Sequence, residues 1–147
     1  MSRRVHLDAN VILRFLRNDD PQQAPIAAEL FKRAQAKEVE LVASPVTLLE
    51  VFYVLASTCG QPRVEVAKIL HTLVSSGLVV CEDGGIVLDA LQRITANKIS
   101  FGDACLAATA VRAKEELASF DRGVAAFKDA RVYPLESLAK AGRKPAS

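Results

Sequence analysis

The feature that most constrains this chain is an alternation of short apolar segments with longer stretches whose apolar residues recur at helical spacing. Arg4 to Leu7, Leu41 to Ala43, Leu78 to Cys81, Leu117 to Phe120 and Arg131 to Tyr133 read as strands. Between them, Asn10 to Arg17 carries Val11, Ile12, Phe15 and Leu16 on one face, and Asp20-Pro21 opens a second helix with Ile26, Leu30, Phe31 and Ala34. Ser44-Pro45 starts an apolar helix from Val46 to Ser57, ended by Gly60-Gln61-Pro62. Further helices are expected over Val64 to Ser75, Ile86 to Ala96 and Ser100 to Lys114, with a short one from Gly123 to Lys128 and a turn at Glu82-Asp83-Gly84-Gly85. Strands alternating with helices imply a parallel sheet covered on both faces, and such sheets present ligand groups at the carboxyl ends of their strands.

A length of 147 residues, 50% of them apolar, suits one domain with its own core, and 24% charged residues exclude disorder for the bulk of the chain. The domain is expected over residues 1–138, with 139–147, ending Gly142-Arg143-Lys144-Pro145-Ala146-Ser147, as a disordered tail. A net charge of +2, from 19 basic and 17 acidic residues, does not announce a polyanion-binding surface, so any nucleic-acid reading must rest on local chemistry. The start MSRRVHLDAN lacks an apolar signal core and no apolar run approaches a membrane span, which points to a cytoplasmic protein with no membrane partner. Cys59, Cys81 and Cys105 lie far apart in apolar stretches and read as reduced packing residues. His6 and His71 have no companion ligand or nucleophile in local register and read as structural.

The acids are more informative. Glu50 is the one charged residue between Ser44 and Ala56, and its helical neighbours Val46, Tyr53 and Val54 are largely apolar. If it is buried, its charge needs a remote cation or a metal ion, because this helix holds no Lys or Arg. Asp8 ends the first strand, and Asn10 could cap the following helix in its place. Asp103 stands three residues after Ser100 as in a capping box, and Asp121 follows a strand and precedes Gly123 as a turn residue would. Each alone has an ordinary structural role. Together they lie at strand ends and helix starts of one expected sheet edge, where converging carboxylates repel unless a hard divalent cation neutralises them.

In these motifs the chain resembles the PIN-domain nucleases, and within them the VapC-type toxins of bacterial toxin–antitoxin pairs. Asp8-Ala9-Asn10-Val11-Ile12-Leu13 is similar to the family's first motif, Glu50 in the Ser44 to Leu55 helix to its second acid, Phe101-Gly102-Asp103-Ala104 to its third and Ser119-Phe120-Asp121-Arg122 to its fourth. The resemblance runs from about Val5 to Leu138 and implies a three-layer α/β/α sandwich around a mostly parallel sheet of about five strands. It implies Mg²⁺- or Mn²⁺-dependent endonucleolytic cleavage of RNA, with 5′-phosphate and 3′-hydroxyl ends, at a metal held by Asp8, Glu50, Asp103 and Asp121. It further implies a cognate antitoxin and a homodimer. Asn10 and Ser119 are expected to orient carboxylates or water, and Arg14, Arg17 and Arg122 are the candidate contacts to the RNA backbone.

Two other classes compete. A phosphoryl-accepting aspartate also ends a first strand, but receiver domains want adjacent acids there and haloacid-type phosphatases an Asp two residues on, where this chain has Asn10. A non-catalytic interaction module would use the same acids as helix caps and bind a partner through apolar helices such as Val46 to Ser57.

Overall fold

In the computed structural model, which describes residues 3–125 and 127–138, the strand β2 (Val39–Ala43) has parallel neighbours on both sides. Its last three residues, Leu41, Val42 and Ala43, are buried, as befits a strand covered on both faces. β1 (Arg3–His6) pairs with one edge, setting Val5 opposite Leu41, and β3 (Val79–Cys81) with the other, setting Val79 opposite Leu41. The helices α1 (Ala9–Arg17) and α2 (Gln23–Gln35) join β1 to β2. From β2 to β3 the chain runs through α3 (Pro45–Tyr53) and α4 (Arg63–Ser75). Beyond β3 come α5 (Gly84–Ala96), α6 (Phe101–Ala113), β4 (Glu116–Leu117), α7 (Arg122–Ala125) and β5 (Arg131–Val132).

The fold is α/β with parallel strands throughout, as the alternation implies, but the five strands form two ladders. β4 and β5 pair with each other and not with the three-stranded sheet, which corrects the expectation of one continuous sheet. The strand expected over Leu117 to Phe120 stops at Leu117, the residue of that segment whose side chain is buried. One core nevertheless unites both ladders: Leu7, Leu41 and Val79 belong to the same cluster as Leu117, Val124 and Phe127.

Helix boundaries shift where side-chain chemistry intervenes. Asp20 does not cap α2 directly; its Oδ1 accepts the N–H groups of Gln22 at 2.9 Å and Gln23 at 2.7 Å, so the helix begins after a turn. Gly84-Gly85 is not a turn but the start of α5, because Asp83 takes the left-handed conformation at φ 58° and reverses the chain one residue earlier. The helix expected from Val46 to Ser57 stays regular only to Tyr53 and continues as a wider π-type turn over Val54–Thr58. There the Cys59 N–H reaches the Val54 carbonyl at 2.9 Å, five residues back, before Gly60 and Pro62 end the element. The tail expectation for 139–147 lies outside the described residues.

The C-terminal segment is fastened through Arg93, whose side chain is only 10% exposed. Its guanidinium donates to both carboxylate oxygens of Asp129 (3.0 and 2.6 Å) and to Asp89 (2.8 Å), and lies 4.8 Å from the Phe127 ring centroid. The Arg93 hydrogen bonds hold the Asp129 carboxyl below its usual range, and the Gln23 and Gln22 N–H groups do the same for Asp20. A carboxyl whose folded-state pKa is depressed contributes stability above its unfolded value and loses it as pH falls through the lower, folded value. Denaturant midpoints should therefore fall as pH drops below about 4. Arg93→Ala should cost about 2 kcal/mol at neutral pH and flatten part of that acid limb, since the exposure of Asp129 keeps the pair below fully buried values. Urea unfolding from pH 2 to pH 7 checks both.

The cysteines are free and half-buried, and burial pushes the Cys81 and Cys105 thiols up to about 11. Both are therefore protonated at neutral pH, in keeping with packing roles. Among the described residues no helix is long and apolar enough to cross a membrane.

Candidate active site

Asp8 follows β1 at its carboxyl end, where the ladder closes with Leu7 N–H donating to the Val42 carbonyl at 2.8 Å. Asp8 is itself the N-cap of α1: its backbone is extended and Oδ1 accepts the Asn10 N–H at 2.9 Å. Helix α1 accordingly begins at Ala9, and Asn10 is not the cap. The cap uses one oxygen, and the other has no protein partner among the described residues.

Glu50 lies in the second turn of α3, whose start is fixed by Pro45 and by Ser44 Oγ accepting the Thr47 N–H at 3.1 Å. It is exposed, so the condition under which its charge would need a remote cation or a metal ion, burial, does not hold. The helix buries Leu48, Val51 and Phe52 and turns outward the face bearing Glu50, with Val46 73% and Tyr53 65% exposed. Its carboxylate has no hydrogen bond or ion pair among the described residues.

Asp103 sits in the first turn of α6 and is half-buried. Ser100 Oγ accepts its N–H at 3.1 Å, but the reciprocal bond of a capping box is not made, so the carboxylate is free of the backbone. Asp121 follows β4 on a loop pinned at two points. Its N–H donates to Ser119 Oγ at 3.0 Å, and its Oδ1 accepts the Gly123 N–H at 2.7 Å. A Cβ on Gly123 would stand 3.0 Å from Asp121 Oδ1, a tight approach that the carboxylate would have to ease by a few tenths of an ångström, and 3.7 Å from the Lys98 carbonyl oxygen, an ordinary contact.

A chain of contacts links the carriers of these acids. Helix α1 packs on α3, α3 on α6, and α6 on both β4 and α7. The α3–α6 contact is a T-shaped pair of Phe52 and Phe101, ring centroids 5.3 Å apart. Arg63 stiffens it from the side, lying 5.8 Å from the Phe52 centroid and donating to the Ile99 carbonyl. The Lys98 contact brings the Asp121 loop to the entry of α6. Even so, no three His, Cys, Asp or Glu side chains among the described residues stand close enough together to hold a metal ion. The structure sets the four carboxylates on adjoining elements without closing them into a ligand cluster.

The four carry no ion pair among the described residues, a condition they share with Glu38, Glu65, Glu82, Asp83, Glu115, Glu116 and Glu136. Asp19, Asp20, Asp89, Asp129, Glu29 and Glu40 all take part in ion pairs. An all-carboxylate donor set without internal cations has the chemistry that hard dications such as Mg²⁺ and Mn²⁺ prefer. The candidate backbone contacts divide. Arg14 donates to Gln23 Oε1 at 2.7 Å with Asp20 at 4.0 Å, and Arg17 pairs with Asp19 at 3.0 Å, so both are engaged within the chain. Arg122 is exposed and has no acidic partner among the described residues. Asn10 helps line an open groove of about 380 Å³ between α1 and α2 that none of the four acids borders.

The sequence profile of the PIN domain matches residues 5–131, most of the chain and all four acids. This protein belongs to the PIN-domain family. PIN domains are in general metal-dependent nucleases, hydrolases of phosphodiester bonds, and they typically use divalent cations. No curated protein matches the chain. Sequence reasoning missed one residue of this PIN domain's site region: Phe120, read as the end of a strand, is 93% exposed immediately before Asp121. Its flanking Ser119 and Asp121 were the available signal, since a buried strand end seldom carries polar residues on both sides of an apolar one.

Proposed function

We propose that this PIN domain is a Mg²⁺- or Mn²⁺-dependent endoribonuclease acting in the cytoplasm as the toxin of a toxin–antitoxin pair. The single observation that carries the reading is that four acids within the matched PIN region stand on adjoining elements, accessible and without an ion pair among the described residues. Asp8, Glu50, Asp103 and Asp121 would hold the cation. Glu50 is exposed and has no hydrogen bond or ion pair among the described residues, so its carboxylate is available to a cation. When bound, the metal lowers the pKa of water and stabilises charge developing on the phosphodiester.

The protein's own part is positional. The Asn10 N–H fixes Asp8 Oδ1 and the Gly123 N–H fixes Asp121 Oδ1, so each carboxylate would have its second oxygen for a cation, while Ser119 Oγ holds the main-chain N–H of Asp121. Arg122 supplies a free guanidinium for a phosphate beside the scissile bond. The exposed apolar residues Ile26, Val46 and Tyr53 favour a protein partner, either the antitoxin or a second copy of the chain.

Cleavage of total RNA in millimolar Mg²⁺ tests the enzymatic reading. The wild type should produce 5′-phosphate and 3′-hydroxyl ends at mapped sites. Asp103→Asn should fall to about 1% of that rate or less, because removing even a group behind a metal ligand costs about 10- to 100-fold. Equal cleavage by both proteins overturns the proposal.

A further inference from the structure

Resting on the nuclease reading, we infer that Phe120 is a stacking platform for an unpaired base next to the scissile phosphate. Every other phenylalanine is engaged inside the molecule. Phe15 and Phe31 are stacked at 3.9 Å, Phe52 and Phe101 form the T-shaped pair, and Phe127 lies beneath Arg93. Phe120 alone leaves its ring in water, 93% exposed.

Its backbone is held. The Asp121 N–H is bonded to Ser119 Oγ and the Asp121 carboxylate to the Gly123 N–H, so the chain on either side of the ring is tied into two consecutive side-chain turns. A ring on a pinned loop has little backbone freedom left to lose on binding, which makes it a better platform than one on a free loop.

The surroundings suit a nucleotide. Arg122 stands two residues on, after Asp121, and Lys98 lies on the neighbouring loop, both exposed and without an acidic partner among the described residues. Tyr133, 40% exposed, leaves the end of β5 next to the strand from which Phe120 comes, its N–H bonded to the Leu117 carbonyl at 2.7 Å. Aromatic faces beside free cations are the means by which proteins hold single strands, since every base offers a π face once it is out of a duplex. The acids repel phosphate, so affinity for the strand has to come from contacts of this kind at their border.

The chain contains no tryptophan, so Phe120→Trp places a sole tryptophan, excited selectively over the two tyrosines, at the proposed contact. In an Asp103→Asn background with Mg²⁺, an unstructured twelve-residue oligoribonucleotide should quench that fluorescence, and the same sequence in a duplex should not. Phe120→Ala should weaken binding of the single strand about tenfold and raise KM, Phe120→Tyr should restore both, and neither should move the thermal midpoint by more than about a degree. Binding and KM unchanged in Phe120→Ala overturn the inference while leaving the nuclease reading intact. A Phe120→Ala protein that keeps RNA binding but loses self-association assigns the ring to a protein contact and also overturns it. Absence of both RNA binding and cleavage in the wild type removes the nuclease reading and this inference with it.

Discussion

Asp8→Asn is expected to abolish the stabilisation of this protein by divalent cations and to reduce RNA cleavage by more than about a hundredfold. The stabilisation follows from linkage: a ligand that binds only the native state raises its stability by RT ln(1 + [L]/Kd). At a Mg²⁺ concentration tenfold above Kd this is about 1.4 kcal/mol, a rise of about 3 to 6 °C in the midpoint of a domain this size. Asn preserves the shape of Asp8 and can still accept the Asn10 N–H, so the cap of α1 survives and the change falls on the charge. Without metal the variant should be equal to the wild type or slightly less stable, because Asn keeps the cap but loses the favourable interaction of a negative charge with the start of α1. Thermal scans of both proteins with and without Mg²⁺ and Mn²⁺ separate the possibilities. A midpoint of the wild type that ignores millimolar cation would leave these acids as helix caps and turn residues, and the chain as a non-catalytic PIN-like interaction module.

Phe101→Ala should cost about 3 to 5 kcal/mol, as for other large buried aromatic truncations. Phe101 is 2% exposed at the first position of α6, where its ring meets Phe52 of α3 and brings together the helices that carry Asp103 and Glu50. A loss of that size consumes a large share of the 5 to 15 kcal/mol that typically holds a domain together. The thermal midpoint should drop by about 10 °C, and the residual folded protein should bind cation more weakly, because the α3–α6 spacing is no longer fixed. Phe101→Leu should recover more than half of the loss, since most of the volume returns without the edge-to-face contact. Denaturant unfolding gives the stability change directly, and a cost below about 1 kcal/mol would show that the two helices are held by other contacts.

The sequence was legible where a local rule operates without competition. Ser44-Pro45 and Ser100 mark helix starts that the structure reproduces, with Ser44 and Ser100 hydroxyls accepting the N–H groups three residues on. The order of strands and helices was legible for the same reason, since period and punctuation are properties of short windows. Asp83 and Phe120 were not. A left-handed residue at Asp83 starts α5 two residues before its apolar pattern does, and the polar flanks of Phe120 pull it out of a strand that its apolar character suggested. Glu50 was legible as an anomaly but its exposure was not, because an apolar helix does not reveal from its own sequence which of its faces will be covered.

By itself the sequence determined the class of the fold, the membership of the acids in one recognisable series and a balance of charge that does not announce a polyanion surface. Only the tertiary structure decided that the strands divide into two ladders, that Glu50 faces water, that Arg14 and Arg17 are taken up by Gln23 and Asp19, and that Phe120 stands free beside Asp121. The reason is physical. Capping, turns and periodicity arise from bonds between residues a few positions apart, whereas exposure and ion pairing depend on which distant surface arrives to cover or meet a side chain.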